Sequence, residues 1–343
     1  MISFYHLFYT ELIRKYRHYS LIDGRKSGYY NYSMYTIGSF NMHNLGFNVA
    51  FRSDGRNLKK IDEIIHDEQF DIVALQEVLN EGRAFTYQTP EGFKKSILHE
   101  LGESNYDFIW ADSQSDENNN RAEGYAFLWN KRRLRLVETE TDRGIRLSEP
   151  TMLAKTKGII RAPFYGRFTP QGLPGGTNFE LRLICIHNYY GSRNSEDIYK
   201  RRNELDVLLK EVYPRWSKKV YKNDIPHYTV LLGDYNLELA RPNRRSYNIL
   251  TDENDIVVSE KYDNMKIQTV QEDLTSLKRD KSDDGTFYVS NFDHFSFDYD
   301  EFKKLKKVWK RVDCVQKYYN GDNEKYFDEI SDHIPVMMKI ELK

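Results

Sequence analysis

Short apolar runs alternate with amphipathic windows along the chain from Tyr35 onward. An alternation of strand-like and helical segments is typical of an α/β domain. The apolar runs predict seven β-strands, over residues 36–42, 71–76, 106–111, 125–130, 180–187, 228–233 and 334–340. Because no linker-like composition interrupts this pattern, residues 34–343 are predicted to form a single domain.

Helices are predicted in the windows between the strands. Apolar residues share one helix face in two windows, Leu58, Ile61, Ile64 and Ile65 in the first and Ile198, Leu205, Leu208, Leu209 and Val212 in the second. A third helix is predicted over residues 91–101, because Pro90 and Gly102 suit the two ends of a helix. Polar stretches at residues 113–120, 170–178 and 252–285 lack a periodic apolar face and are predicted to be surface loops.

Composition narrows the class of protein without identifying it. The 343 residues include 51 basic and 52 acidic side chains, so no global positive charge indicates a nucleic-acid coat protein. Cys185 and Cys314 do not make a disulfide framework, and a cytoplasmic location is expected. Residues 1–33 show neither a membrane span nor a signal-peptide pattern and are predicted to be an extension, partly helical or linker-like.

Polar residues stand at the boundaries of many predicted strands, where burying an apolar residue would cost less free energy. In α/β proteins, ligands bind at the ends of strands. These polar residues are therefore the candidates for a functional site. In chain order they are Asn41, Glu77, Glu123, His187, Asp234, Asn236, Asp293, Asp332 and His333.

Two of these boundaries place acidic groups directly after an apolar run. Glu77 follows residues 71–76, and a buried carboxylate there needs a cationic partner or a bound cation. Capping of a helix or an ion pair with arginine is the structural alternative. Asp234 and Asn236 follow Gly233, and at i and i+2 they point to the same side of an extended segment. A plain Asx turn is the alternative for this pair.

Two histidines complete the set. His187 ends an apolar run, and His333 follows Asp332 just before the last predicted strand. A histidine at a strand end is often structural, and a capped turn would also explain residues 332–333. Glu123 and Asp293 favour a functional interpretation, because each is able to orient one imidazole. Two oriented histidines beside a phosphate would supply an acid and a base.

Seven segments together resemble the endonuclease/exonuclease/phosphatase superfamily, and most closely its deoxyribonuclease I branch. In the superfamily's own order they are SFNM (39–42), LQEV (75–78), RAEGY (121–125), IH (186–187), GDYN (233–236), FDH (292–294) and SDHIPV (331–336). The resemblance covers residues 35–342. It implies an α/β four-layer sandwich, in which two central mixed β-sheets pack face to face with helices on both outer sides. It also implies a hydrolase that depends on a divalent cation.

The resemblance assigns a metal site. Asn41, Glu77 and Asp332 would hold the principal ion, while Asp234 and Asn236 would contact the phosphate, a second ion or the attacking water. Carboxylate and amide oxygens are ligands for hard cations. The expected cofactor is therefore Mg²⁺, with Mn²⁺ as the alternative.

The resemblance also assigns the catalytic histidines and favours one branch. His187 would be oriented by Glu123, and His333 by Asp293. Apurinic-site endonucleases usually carry Asn in place of His187 and lack the Glu123 partner. Inositol polyphosphate phosphatases carry a Trp-Cys-Asp-Arg type of segment where this chain has residues 291–294. The histidine pair therefore favours the deoxyribonuclease I branch.

Substrate binding is expected to involve Arg161, Arg121 and His43. Arg161 occupies the position of a phosphate-contacting arginine of that branch. Deoxyribonuclease I itself has arginines where this chain has His43 and Leu79, so we expect DNA to be engaged differently here. A local basic rim is predicted from Arg161, Arg167, Arg241, Arg244 and Arg245, and an ordinary solvated helix start is the alternative for the last three.

The expected function is a deoxyribonuclease I-like endonuclease that hydrolyses the DNA backbone by in-line attack of water. Nucleic acid, and DNA in particular, is the expected partner. One alternative is a phosphoesterase of the same fold that acts on RNA, abasic DNA or a phospholipid. The other is a non-catalytic binding protein on the same scaffold. Cleavage mode and oligomeric state are not predicted.

Overall fold

The computed structural model of the chain describes residues 34–46, 56–79, 83–86, 96–112, 123–140, 146–148, 151–153, 157–171, 179–192, 194–221, 225–239, 256–281 and 285–342. The described residues from Tyr35 onward belong to one compact unit. The predicted extension over residues 1–33 and the predicted loop over residues 113–120 lie outside the described residues. Most of the predicted loop over residues 170–178 does as well.

Strands occupy a large part of the described chain. In chain order, β1 to β18 are Met34–Leu45, Ile72–Leu79, Tyr106–Asp112, Glu123–Asn130, Leu134–Leu136, Glu138–Glu140, Arg146–Ser148, Thr151–Met152, Phe164–Pro170, Glu180–His187, His227–Asp234, Ile256–Ser259, Met265–Val270, Ser276–Leu277, Tyr288–Ser290, Asp293–Asp298, Lys307–Arg311 and Val336–Glu341. All seven predicted strands are present, with their ends shifted by a few residues at most.

Helices lie between these strands in the chain. In chain order, α1 to α8 are Leu58–Asp67, Arg83–Thr86, Ile97–Leu101, Ser195–Val207, Tyr213–Ser217, Tyr299–Phe302, Cys314–Tyr319 and Asn323–Glu329. A π-helical turn, Leu208–Val212, joins α4 to α5, and a 3₁₀ turn, Glu260–Tyr262, follows β12. The two helices predicted from their apolar faces are therefore confirmed.

Two mixed sheets carry the fold. The first has the strand order β17-β18-β1-β2-β4-β3, and the second has β12-β13-β16-β11-β10-β9-β5 with β8 also paired to β9. The neighbours β1 and β2 run parallel, as do β10 and β11, whereas β16 runs antiparallel to β11. Parallel neighbours end at the same edge of a sheet, so their last residues lie side by side.

Alternating side chains build three hydrophobic layers, because successive strand residues point to opposite faces. In β10, Leu181 and Leu183 pack between the two sheets, while Ile184 and Ile186 pack against α4 and the π-helical turn. The outer face of the first sheet packs against α1, α2, α3, α7 and α8. The order helices, sheet, sheet, helices confirms the predicted four-layer sandwich.

Two expectations about local structure were wrong. The polar stretch 252–285 was expected to be a loop, yet its described part contains β12, β13 and β14. Pairing of Ile267 with Asp298 and of Thr269 with Ser296 holds β13 in the second sheet. The helix expected over residues 91–101 begins at Ile97, because the Ser96 side chain accepts a hydrogen bond from the backbone N–H of residue 99 and caps it. Residues 91–95 lie outside the described chain.

Candidate active site

Strand register brings the predicted polar residues together. His187 and Asp234 are the last residues of the parallel strands β10 and β11, and they lie opposite one another. Asp293 opens β16 and pairs with Asp234 from the other side of β11. In the first sheet, Asn41 of β1 pairs with Gln76 of β2, the residue before Glu77. A site assembled from strand ends was therefore predictable from the sequence pattern.

A cavity of about 830 Å³ lies at these strand ends. Its volume is within the usual range for small-molecule and cofactor sites. Most of the predicted site residues line it, namely His43, Glu77, Glu123, Arg161, His187, Asp234, Asn236, Asp332 and His333. Asn41 and Asp293 are fully buried and contact residues of the cavity wall instead.

Asp234 is the centre of the polar contacts, although its side chain is almost inaccessible to solvent. Its Oδ2 atom lies 3.1 Å from Nδ2 of Asn41. The same oxygen lies 3.7 Å from Nε2 of His187 and 3.7 Å from Nε2 of His333. The two imidazoles therefore converge on a single carboxylate oxygen.

Each histidine also contacts a carboxylate of its own. Nδ1 of His333 lies 2.8 Å from Oδ2 of Asp293, and Nδ1 of His187 lies 3.4 Å from Oε1 of Glu123. Burial disfavours a charged imidazole, but Asp293 and Asp234 outweigh it and raise the pKa of His333 well above its usual value. Burial and the nearby arginine likewise oppose protonation of His187, yet Glu123 and Asp234 raise its pKa. Both rings are thus suited to carry a proton.

Arg161 is the cationic partner of Glu123. Its Nε atom lies 2.6 Å from Oε2 of Glu123, and its Nη1 donates to the carbonyl oxygen of Asn188 at 3.0 Å. Burial would raise the pKa of Glu123, but His187 and Arg161 together lower it to about 2. Arg161 lines the cavity and contacts Glu123 in the structure. Its contact with a phosphate stays a prediction.

Glu77 differs from Glu123 in its surroundings. It adopts a left-handed backbone conformation, with φ of 56°, which costs about 1–2 kcal/mol for a residue with a side chain. Among the described residues, its Oε1 accepts a hydrogen bond from Nδ2 of Asn41 at 3.0 Å and lies 3.8 Å from Nε2 of His187. Ligand atoms of Glu77, Glu123 and His187 lie within 4.8 Å of one another. Since Glu123 is paired with Arg161, Glu77 is the member of this trio best suited to bind a cation.

The other two predicted ligands of the principal ion are Asp332, at the cavity wall, and Asn41, buried behind it. Asp332 lines the cavity, and its Oδ1 is 3.4 Å from Nδ1 of His43. Asn41 directs its amide NH₂ group at Glu77 and Asp234, while its Oδ1 accepts a hydrogen bond from the backbone N–H of His43. The carboxylate oxygens of Glu77 and Asp332 fit a hard divalent cation such as Mg²⁺, whereas the Asn41 amide in this orientation presents its NH₂ group and not its oxygen to Glu77.

The relation between Asp234 and Asn236 is not the expected one. Asn236 has a positive φ of 49°, and its backbone N–H donates to Oδ1 of Asp234 at 2.8 Å. The segment is therefore an Asx turn, not an extended segment, although both side chains still line the cavity. Glycine is needed at position 233, because its φ is 145° and a Cβ there would lie 1.9 Å from the carbonyl oxygen of Ile186.

Sequence reasoning missed the residues that hold the segment before β18 against β1. Arg56 donates from Nη2 to the carbonyl oxygen of His43 at 2.7 Å, and from Nη1 to the carbonyl oxygens of Phe327 and Asp328 at 3.0 Å. Ser331 donates from Oγ to the carbonyl oxygen of Asn41 at 2.7 Å. Arg56 lies 272 residues before Asp328, and Asn41 lies 290 residues before Ser331. No local sequence signal predicts contacts over such separations.

The predicted basic rim is wrong for Arg167. This side chain is buried at the opposite end of β10, where its Nε and Nη2 lie 2.8 and 2.6 Å from the carboxylate of Glu180. The buried ion pair with Glu180 accounts for its position. The remaining predicted arginines outside the cavity, Arg121, Arg241, Arg244 and Arg245, lie outside the described residues.

The chain has two sheets packed face to face and, at their strand ends, a cavity lined by acidic residues and histidines. These features are those of a phosphoesterase fold. The family model described as the Endonuclease/Exonuclease/phosphatase family matches residues 38–298. The chain belongs to this family, as its motifs indicated. Members of the family are hydrolases and usually depend on a metal, and the cavity supplies a suitable cluster of acidic and histidine side chains.

Solved structures show the same fold at low sequence identity. A family member from Bacteroides thetaiotaomicron is 15% identical, with a TM-score of 0.50, over 90% of this chain and 98% of that one. The same organism's mannosyl-6-phosphatase is 15% identical, with a TM-score of 0.50, over 89% and 99%. The 2′,3′-cyclic phosphatase ANGEL2 is 13% identical, with a TM-score of 0.52, over 90% and 96%. These identities support the fold alone.

Two further searches found nothing. No sequence among the curated proteins matches the chain. In the part of the chain that the structure describes, no helix combines the length and the hydropathy needed to cross a membrane.

Proposed function

We propose that the chain is a metal-dependent phosphodiesterase, and more specifically a deoxyribonuclease I-like endonuclease that hydrolyses the DNA backbone. One observation carries the proposal. His187 and His333, each beside its own carboxylate, converge on Asp234 at the wall of the cavity. Family membership supports phosphoester hydrolysis, and the paired histidines support the nuclease branch.

A bound cation would neutralise charge on the phosphate. Glu77 and Asp332 would hold it through carboxylate oxygens, and Asn41 would join them with its amide turned to present the oxygen. Glu123 and Asp293 contact the Nδ1 atoms of the two imidazoles. The two Nε2 atoms are thereby left to contact a phosphoryl oxygen or to give a proton to the leaving oxygen.

The histidines carry out the proton transfer in this proposal. The carboxylates raise the pKa of both imidazoles, so each ring holds a proton more firmly than a free histidine does. Protonation of the leaving oxygen removes developing negative charge, and this contribution is typically about 10²–10⁴-fold in rate. Nothing in this scheme requires a disulfide, and the two cysteines are free and buried, which supports the proposed cytoplasmic location.

The test is a substrate panel with a matched control. Supercoiled plasmid, abasic duplex, single-stranded DNA, RNA and a phosphoinositide are each incubated with purified protein in Mg²⁺ and in EDTA. Wild-type protein is compared with His187→Ala and with His66→Ala, which changes a half-exposed histidine on α1. We expect plasmid nicking in Mg²⁺, no nicking in EDTA or in His187→Ala, and full activity in His66→Ala. Hydrolysis confined to the phosphoinositide would refute the proposed DNA substrate.

A further inference from the structure

An exposed aromatic ring stands at the wall of the cavity. Tyr190 follows His187 by three residues, lines the cavity and is 70% exposed. Single exposed tyrosines are ordinary on protein surfaces and by themselves indicate nothing. Tyr190 differs from such tyrosines in two respects. It lies close to His187 in the chain, and hydrogen bonds hold the backbone around it.

Hydrogen bonds fix the backbone on both sides of Tyr190. On the N-terminal side, Asn188 donates from its backbone N–H to the carbonyl oxygen of Asp234 at 2.9 Å, and Tyr189 donates to Oε2 of Glu204 at 2.7 Å. On the C-terminal side, Arg201 donates from Nη1 to the carbonyl oxygen of Gly191 at 3.2 Å. Gly191 packs closely against the Tyr189 ring, since a Cβ at position 191 would lie 2.6 Å from that ring. The loop is therefore held in place while the Tyr190 ring stays open to solvent.

The same anchors connect the loop to the site. The carbonyl oxygen of Asn188 accepts hydrogen bonds from Arg161 and from Asn236, each at 3.0 Å. Both donors line the cavity. The backbone that carries Tyr190 is thus anchored to groups that line the cavity. A ring that is already in place loses little conformational entropy when a planar group stacks on it.

We propose that Tyr190 is a stacking platform for a nucleobase carried by the sugar next to the scissile phosphate. The proposal rests on the proposed function, because it concerns the substrate of the same cavity. Aromatic side chains stack on any base, so the platform selects for the presence of a base and not for its sequence. Tyr190 thereby acts as a specificity residue that separates nucleic acids from phosphate esters lacking a planar ring.

The first experiment compares two substrates with the same backbone. One is oligothymidylate, and the other replaces every thymidine by an abasic 1′,2′-dideoxyribose unit. In Mg²⁺, we expect wild-type kcat/KM to favour the base-bearing oligomer by about 5- to 100-fold. Tyr190→Ala removes this preference, whereas Tyr190→Phe keeps it because the ring is retained.

Tyr199→Ala is the matched control. Tyr199 lies on α4, is 66% exposed and does not line the cavity, so its removal leaves the preference unchanged. Equal preference in wild type and Tyr190→Ala would refute the stacking role while leaving phosphodiester hydrolysis intact. A wild-type protein that cleaves neither oligomer nor any phosphodiester of the panel would instead refute the proposed function.

A binding experiment separates stacking from catalysis. Tyr190→Trp and Tyr199→Trp are titrated in Mg²⁺ with thymidine 5′-monophosphate and with ribose 5-phosphate. We expect the nucleotide to quench the fluorescence of Tyr190→Trp more strongly than that of Tyr199→Trp, and ribose 5-phosphate to quench neither. The same response in both variants would overturn the proposal, whether or not the protein cleaves DNA.

Discussion

The two ends of β10 both bury charged side chains, yet the charges are matched in different ways. At the first residue of the strand, Glu180 contacts two arginines. Arg167 lies 2.6 Å from its Oε2, and Arg182 lies 2.6 Å from its Oε1. Arg182 also donates to backbone carbonyl oxygens, including those of Ser217 and Lys219. Nearly every charge at this end has a partner within the protein.

The last residue of the strand, His187, lies among carboxylates. Glu123 has an arginine partner. Asp234 contacts the Asn41 amide, the backbone N–H of Asn236 and two imidazoles, and Glu77 contacts the Asn41 amide and the His187 imidazole. Glu77 is also held with a positive φ. Negative charge and backbone strain therefore accumulate at the cavity end, whereas the Glu180 end is internally neutralised.

The contrast shows which property of a buried charge indicates function. Glu180, His187 and Asp234 are all buried, so burial alone does not distinguish a structural ion pair from an active site. The distinction lies in whether protein groups neutralise the charge or leave it for a ligand. Five predictions follow, beginning with the largest expected effect.

Removal of either histidine at the cavity end should abolish most activity. His187→Ala and His333→Ala each lower kcat by about 10²–10⁴-fold, because the proton donor or acceptor is lost. Plasmid nicking rates measure the effect, and circular dichroism with thermal unfolding checks that the fold is intact. Wild-type rates in a folded His187→Ala variant would exclude that histidine from the chemistry.

Removal of the charge at the other end should instead affect stability. Glu180→Gln leaves Arg167 and Arg182 buried without their carboxylate, which lowers the free energy of unfolding by about 3–5 kcal/mol. Chemical denaturation at pH 7 measures the loss, and the activity of the folded fraction stays at the wild-type level. A loss of activity without a loss of stability would contradict the assignment of this end as structural.

The same variant has a predicted pH dependence. Burial opposes ionisation of Glu180, but Arg167 and Arg182 outweigh it and hold the pKa of the carboxyl below its ordinary value of 4.5. A carboxylate with a lowered pKa stabilises the fold above its unfolded pKa, and this stabilisation is lost as the pH falls below that value. The stability difference between wild type and Glu180→Gln should therefore narrow as the pH falls below 4.5.

Arg56 is a buried cation near the cavity end whose hydrogen bonds go to backbone carbonyl oxygens. Arg56→Met should lower kcat by about tenfold, since a small displacement of catalytic groups is sufficient for such a loss. Arg56→Lys recovers part of the activity, because it keeps the charge but loses the paired donors. Lys60→Met, which breaks a half-exposed ion pair with Glu63, is the control that leaves kcat unchanged.

Neutralising Glu77 should have the smallest effect on stability, and with a sign opposite to that of Glu180→Gln. Without a metal, Glu77→Gln removes a negative charge beside Asp234, which contacts the same Asn41 amide, and we expect the protein to be stabilised by up to about 1 kcal/mol. Thermal unfolding in EDTA measures this change. Destabilisation comparable to that of Glu180→Gln would mean that Glu77 is neutralised within the protein after all.

Sequence alone predicted the parts of the site that depend on local pattern. An acidic residue or a histidine at the end of an apolar run identified Glu77, His187 and Asp234, because such residues are costly to bury without a function. Parallel pairing of the strands then places their ends together. The four-layer fold followed from the motifs that resemble the family.

The remaining features depend on tertiary contacts. β16 was not predicted, because its short sequence DHFSFD has only two apolar residues, and its polar residues become buried only by packing against neighbours. His294 within it is fully buried and contacts the carbonyl oxygens of Gln271 and Leu237. Arg56 and Ser331 are likewise unremarkable in the sequence, since their partners lie at the far end of the chain. Tyr190 gave no signal because its exposure follows from the loop geometry.

The most direct test of the contrast is Mg²⁺ binding to three proteins by isothermal titration calorimetry. Wild type and Glu180→Gln should bind Mg²⁺ with equal affinity at a temperature where both are folded. Glu77→Gln should bind at least about tenfold more weakly, a difference of about 1.4 kcal/mol. Equal binding by Glu77→Gln and wild type would contradict the assignment of the cavity end of β10 as a metal site.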